Sequence, residues 1–228
     1  MEIKRVTLQT ANIKVLKYFY TKTLGLQLIN ENENSFCIAV GTSQLEFTER
    51  NVEGEPYYHF AFNIQANKFN EAKSWIKEKG INLNKEDGED EADFSHLPAH
   101  SLYFDDPAGN IVEFISRHSI SENGEESFSP KGILNISEIS LTVNDAVTAG
   151  KQLIDIGIKE RDNYPISATS LNFMGKRSIG IFILLTEPGR RWIFSDKYSA
   201  VYPLDITLSN NERISIDNKS ELLISQDN

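Results

Sequence analysis

Three stretches of the chain share one local plan. Arg5-Val6-Thr7-Leu8-Gln9, His59-Phe60-Ala61-Phe62-Asn63 and Glu138-Ile139-Ser140-Leu141-Thr142 each run polar, apolar, small, apolar, polar. Side chains alternate faces along a strand, so each stretch reads as a strand with one apolar and one polar face. A helical pattern follows each. The first starts near Asn12 and packs Leu16, Phe19, Tyr20 and Leu24; the second starts near Asn67 and packs Phe69, Ala72 and Ile76. The third starts near Asn144 or Asp145 and packs Ala146, Gly150, Leu153 and Ile154. Asn and Asp suit the N-cap, and each helix ends at a glycine followed by an apolar residue: Gly25-Leu26, Gly80-Ile81 and Gly157-Ile158. Strand, cap, helix and glycine recurring together mark an internal repeat.

The strands after each helix complete the unit: 26–31, 35–40 and 43–49 in the first, 81–84, 100–105 and 110–116 in the second. The expected fold class is therefore α+β, with paired βαβββ modules forming a curved mixed sheet, a cup with helices outside. Residues 1–118 are expected to form a domain of two modules, and the polar, turn-rich segment 119–132 a linker. Residues 133–208 read as a degenerate half, one module followed by a partial fourth at "VYPLDITL" whose helix is missing. Residues 209–228 read as a polar tail with one short strand at "ERISID".

Within "LYFDDPAGNIVEF", residues 102–114, a turn at Asp106-Pro107-Ala108-Gly109-Asn110 leads into a strand that carries Glu113 among branched apolar residues. A charge there needs either solvent or a partner. Register supplies companions. Glu113 lies opposite Val112 and Phe114; Glu46 lies opposite Leu45 and Phe47; His59, with Tyr57 and Asn63, lies opposite Phe60 and Phe62; Arg5 and Thr7 lie opposite Val6 and Leu8. If the sheets of the first two units curve together, Arg5, Glu46, His59 and Glu113 converge in one cavity. One His, two Glu and one Arg in a cavity are what a metal or anion site uses.

The paired units and the closing "FDDPAGNIVEF" resemble the vicinal oxygen chelate superfamily, which includes glyoxalase I, fosfomycin-resistance enzymes, extradiol dioxygenases and bleomycin-binding proteins. The resemblance covers residues 1–118, with the remainder similar to a degenerate second half. It implies metal ligands on the first and last strands of each unit, which here are Arg5, Glu46, His59 and Glu113. His59, Glu113 and Glu46 can bind a divalent ion such as Zn, Ni, Mn or Fe. Arg5 cannot, because guanidinium has no free lone pair, and it places a positive charge at a ligand position.

Two functions follow. One is a metal-dependent enzyme, a glyoxalase-like lyase or ring-cleaving dioxygenase, chelating two neighbouring oxygens of a small molecule, with Glu113 as base. The other is a metal-free binding protein, in the manner of bleomycin-resistance proteins, with Arg5 holding an anionic group. In either, Arg5, Thr7, Tyr57, Asn63 and His100 are candidate substrate contacts. His100 could add a second imidazole to His59 and Glu113. His96 and His118 flank strands and read as exposed, and Glu138 reads as lining a second, reduced cavity or an open sheet.

The remaining features narrow the class. An excess of 33 acidic over 23 basic residues disfavours nucleic acid or an anionic membrane as partner. No apolar run is long enough for a membrane span, the N-terminus lacks a signal-peptide core, and the single cysteine, Cys37, reads as a core hydrophobe, so a cytoplasmic protein is expected. A small-molecule partner and a possible homodimer complete the expectation. The acidic run 86–93 lacks the oxygen-ligand pattern of a calcium loop and reads as a solvated, mobile loop able to act as a lid. "RRWIF" at 190–194 reads as a turn into an edge strand, with Trp192 over the third unit's core.

Overall fold

The computed structural model describes residues 1–94 and 98–226; His96 therefore lies outside the described residues. Unit one comprises β1 (Ile3–Gln9), α1 (Ile13–Tyr18), β2 (Leu28–Glu31), β3 (Ser35–Val40) and β4 (Ser43–Thr48). Unit two comprises β5 (His59–Ile64), α2 (Phe69–Glu78), β6 (Ala92–Phe94), β7 (Ala99–Asp105) and β8 (Ile111–Arg117). Unit three comprises β9 (Ile133–Thr142), α3 (Ala146–Asp155), β10 (Asn172–Lys176) and β11 (Ile181–Thr186); a helixless fourth comprises β12 (Leu204–Leu208), β13 (Glu212–Ile216) and β14 (Leu222–Gln226). No helix among the described residues is long and apolar enough to cross a membrane.

Local chemistry accounts for the repeat. Gly25, Gly80 and Gly157 all take positive φ, +70°, +74° and +85°, which ends each helix at low steric cost. Asp145 caps α3 by accepting from Thr148 N, whereas Asn12 makes no side-chain cap and Asn67 instead bonds Gly124 ahead of α2. After Tyr18 the first helix widens into a π-helical turn, Phe19–Thr23, and the adjacent residues Phe19 and Tyr20 both reach the core.

Three expectations change. Residues 81–84 form no strand, although Ile81 and Leu83 pack on the core; the matching strand is β6, paired with β7. Ile154 is exposed on α3, where Ala149 turns inward instead. The segment from residue 209 is not a tail: β13 and β14 extend the sheet from β12, because Ile214 and Ile216 alternate with polar residues and are buried.

The largest change concerns how units pair. One sheet runs β14-β13-β12-β1-β4-β3-β2 and the other β10-β11-β9-β5-β8-β7-β6. Unit one thus joins the fourth, through antiparallel β1 and β12, and unit two joins the third, through antiparallel β5 and β9. The first and second units do not share a sheet. Alternation fixes which face a strand shows its neighbour but leaves the neighbour's identity open, and β12 and β9 satisfy it as well as β1 and β5 would have satisfied each other. The two sheets meet where Thr42 N donates to Leu134 O (2.9 Å) and Ile136 N donates to Ser43 Oγ (3.2 Å). Their helix-bearing faces share one apolar core that includes Val6, Leu16, Phe62, Ile76, Ile139 and Leu153.

Candidate functional site

The concave face of the second sheet carries a row of side chains set by register. Glu113 on β8 pairs across to Ala61 on β5, and Ala61 in turn to Glu138 on β9. Tyr103 extends the row beyond Glu113, and Phe182 beyond Glu138. Ala61 is the small member of its repeat, so its own side chain leaves room between the two carboxylates. His59, two residues earlier on the same face, completes the group. His59, Glu113 and Glu138 are 5%, 3% and 6% exposed, and one ligand atom from each lies within 4.8 Å of the others.

The imidazole is held in one tautomer. His59 Nδ1 donates to the Ile111 carbonyl at 3.1 Å, which leaves the Nε2 lone pair directed at Glu113 Oε2, 3.4 Å away. Two acceptors facing each other in a buried place require a cation between them, a proton or a metal ion. Ligands about 2.0–2.2 Å from one ion stand roughly 3–3.5 Å apart, so the His–Glu separation fits. Glu138 is differently placed. Burial pushes its carboxyl above the usual range, the Glu113 charge adds to this, and Arg117, 2.5 Å from Glu138 Oε1, opposes it. Arg117 is fixed by Asn63 Oδ1 (3.2 Å) and Ser137 Oγ (3.1 Å). Burial, followed by the Glu113 and Glu138 charges, pushes Tyr103 well above an ordinary phenol and keeps its hydroxyl protonated.

The turn that begins β8 is fastened to two units. Asp106 Oδ1 accepts from Ala108 N (2.9 Å) and Asn110 N (3.0 Å), and its Oδ2 accepts from Tyr20 of unit one at 2.7 Å. Gly109 sits at φ +85°, and Asn110 Oδ1 accepts from Tyr58 N at 2.9 Å. This turn sets Glu113 against His59.

A loop closes over the row. Trp192 is buried with its ring 4.9 Å from His59, and Phe194 stacks on Tyr103 at 4.7 Å. Glu86 clasps the loop by pairing with Arg191 and accepting from Phe194 N at 2.7 Å, while Lys197 donates to Gly109 O at 2.7 Å. The acidic run is therefore not a free lid. Asp90 also pairs with Lys73 (2.5 Å) and Lys77 (2.7 Å), which share a face of α2, and these bonds draw its carboxyl down to about 2. Beneath the loop lies a cavity of about 240 Å³ with aromatic and apolar walls, the His59, Glu113 and Glu138 cluster at its floor, and Arg161 and Arg190 on its sides.

The structure separates the predicted site residues. Glu46 and Arg5 lie together in the other sheet, Arg5 Nε 3.6 Å from Glu46 Oε2, and the Thr7 hydroxyl donates to Glu46 at 3.2 Å. They line an open polar groove of about 970 Å³, not the His59 cavity. The reason is the sheet pairing. Arg5 consequently takes no ligand position beside His59; the place matching Glu113 in unit three is Leu184, opposite Ser140. Asn63 supports Arg117 instead of lining the cavity, and Tyr57 donates to Tyr198 O while its ring packs on Tyr202. His100 joins no cluster with His59; its Nδ1 is 2.7 Å from His118 Nε2, and its Nε2 is 3.8 Å from Asp93. The third candidate ligand, Glu138, stood in the repeat at the position of His59, and that shared position was the signal for it.

Comparison with known proteins gives a consistent result. Residues 2–114 match the family model of the Glyoxalase/Bleomycin resistance protein/Dioxygenase superfamily, and residues 136–190 match that of the toxoflavin-degrading enzyme. Metallothiol transferase FosB of Staphylococcus haemolyticus is 29% identical over 116 residues, covering 49% of this chain and 80% of that protein. The Staphylococcus epidermidis FosB matches to the same extent. A putative dioxygenase from Bacillus subtilis superposes with a TM-score of 0.57 at 16% identity, over 81% of this chain and 63% of that one, which shows a shared fold.

Proposed function

The chain belongs, through residues 2–114, to the glyoxalase, bleomycin resistance and dioxygenase superfamily, and from that premise we propose that it is a metal-dependent enzyme acting on a small oxygen-bearing molecule. The observation that carries the reading is the His59–Glu113 pair, two buried acceptors turned toward each other with Glu138 alongside. A divalent ion held by His59, Glu113 and Glu138 would supply Lewis-acid stabilisation to two neighbouring substrate oxygens. The chain's own residues do the rest. His59 keeps its Nε2 lone pair available because Nδ1–H is spent on Ile111 O. Glu113 would take a proton from bound substrate, and Tyr103, held protonated beside it, would keep a hydroxyl donor at the cavity wall. Trp192 would shield the bound substrate from water, with Phe194 packed on Tyr103 beside it. The names of the matched families and of the FosB relatives, which describe a metallothiol transferase and a degrading enzyme, support an enzymatic role.

A second reading, metal-free binding of a small molecule, is favoured by the Arg117–Glu138 contact, which already neutralises one carboxylate. Arg117, not Arg5, would then take the part of the cation. Metal analysis after purification without chelator and incubation with Zn, Ni, Mn or Fe(II) separates the two. The enzyme reading expects about one equivalent, lost in His59→Ala and retained in Arg5→Ala. Uptake below about 0.1 equivalent of every metal would sink it.

A further inference from the structure

The half-buried guanidinium of Arg161 has no use in the scheme above. It stacks on the Phe173 ring, 3.8 Å from the centroid, and its Nε is shielded from solvent without a hydrogen-bond partner among the described residues. The neighbouring carboxylate is already taken. Asp162 accepts from Arg177 at 2.5 and 2.6 Å, and its Oδ2 stands 3.4 Å from Arg161 Nε outside hydrogen-bond geometry. Burial and the Arg177 charge both press Arg161 below its ordinary value, so the surroundings disfavour its charge more than they satisfy it.

Arg161 also occupies a seam. It lines the metal-site cavity, and it lines a second cleft of about 220 Å³ together with Pro98, Arg117, Ser119, Arg177 and Phe182. Three guanidiniums and a hydroxyl border that cleft, with no carboxylate among its described lining residues. The metal-site cavity offers Phe173, Leu171, Leu184, Trp192 and Ile193 as flat apolar walls. A planar stacked arginine with free donors is a carboxylate or phosphonate receptor.

We propose that Arg161 anchors an anion subsite, and that the substrate is a small flat apolar acid whose body lies between these walls and whose carboxylate or phosphonate meets Arg161. The orientation, with the opposite end over His59, Glu113 and Glu138, rests on the metal-site reading; the subsite itself does not.

Calorimetric titration with 2-naphthoate, 2-naphthylphosphonate and the neutral 2-naphthamide tests it, on the protein both metal-loaded and chelator-treated. Charge-assisted hydrogen bonds predict that one or both acids bind at least about ten-fold more tightly than the amide, the stronger of the two identifying the anion. Arg161→Gln should remove that preference and leave amide binding and metal uptake unchanged, while Arg161→Lys keeps part of it. Equal affinity for amide and acids, absence of acid binding, or a preference that survives Arg161→Gln, whether or not it vanishes in Arg190→Gln, would overturn the subsite. An acid preference in a protein that takes up no metal supports the subsite and overturns only the metal reading.

Discussion

Arg5 and His59 hold the same place in two copies of one unit, as do Glu46 and Glu113, yet the two sheets put them to different use. In the second sheet Ala61 leaves a gap between Glu113 and Glu138, and the 189–198 loop buries the group. In the first sheet Thr7 stands where Ala61 does and donates its hydroxyl to Glu46, and Arg5 neutralises the same carboxylate. The helixless fourth unit brings Asp205, itself paired with Arg213 at 2.7 Å, and among the described residues no loop covers the resulting groove. A repeat therefore dictates where a side chain points, while its immediate neighbours and its access to water decide what it can bind.

Paired substitutions can break this contrast. Arg117→Ala strips the cation from a buried carboxylate and should cost about 3–5 kcal/mol in denaturant unfolding. Arg213→Ala, at an exposed pair, should cost at most about 1 kcal/mol. Equal losses would erase the distinction between the sheets. Removing a candidate ligand comes next. Glu113→Ala should weaken metal affinity about 100-fold or more, as measured by competition with a chromophoric chelator, and Glu46→Ala should leave it unchanged. Ala61→Leu overfills the gap between the carboxylates and should lower stability by about 1–3 kcal/mol while abolishing metal uptake. Thr7→Leu, in the open groove, should do neither.

The smallest expected effect sharpens the comparison through pH. The folded-state pKa of Asp90, about 2, lies below its ordinary value, so its contribution is complete above roughly pH 4–5 and lost as pH falls toward 2. Asp90 lies half-buried at the surface, where solvent screens its pairs with Lys73 and Lys77, so the change is modest. Melting temperatures from pH 5 to pH 2 should fall less steeply in Asp90→Asn than in the parent protein, and identical slopes would show that the Lys73–Asp90–Lys77 bonds do not hold the loop.

The repeat made the fold class, the three helix-ending glycines and the inward faces of His59 and Glu113 readable, because period-2 alternation and glycine at positive φ are local properties. Which sheets would form was not local. β1 had two candidate neighbours of equal pattern, and choosing β5 over β12 carried Arg5 and Glu46 into a site that they never enter. The place of Glu138 beside Glu113 was not legible for the same reason, since its partnership with Ala61 depends on β9 joining β5. The clasp of Glu86 on Arg191 was invisible because the two residues are far apart in sequence, and a run of acidic side chains reads as solvated until its cations arrive.

Residues 59–186 supply every strand of the second sheet, whereas one edge of β1 gains its partner only when Leu204–Leu208 has been made. Ribosomal synthesis thus delivers the sheet that carries His59, Glu113 and Glu138 complete while β1 still offers a bare edge. That edge is the place for a chaperone to hold or for a stray strand to pair, and a slow stretch of translation after residue 186 would lengthen its exposure without delaying the assembly of His59, Glu113 and Glu138.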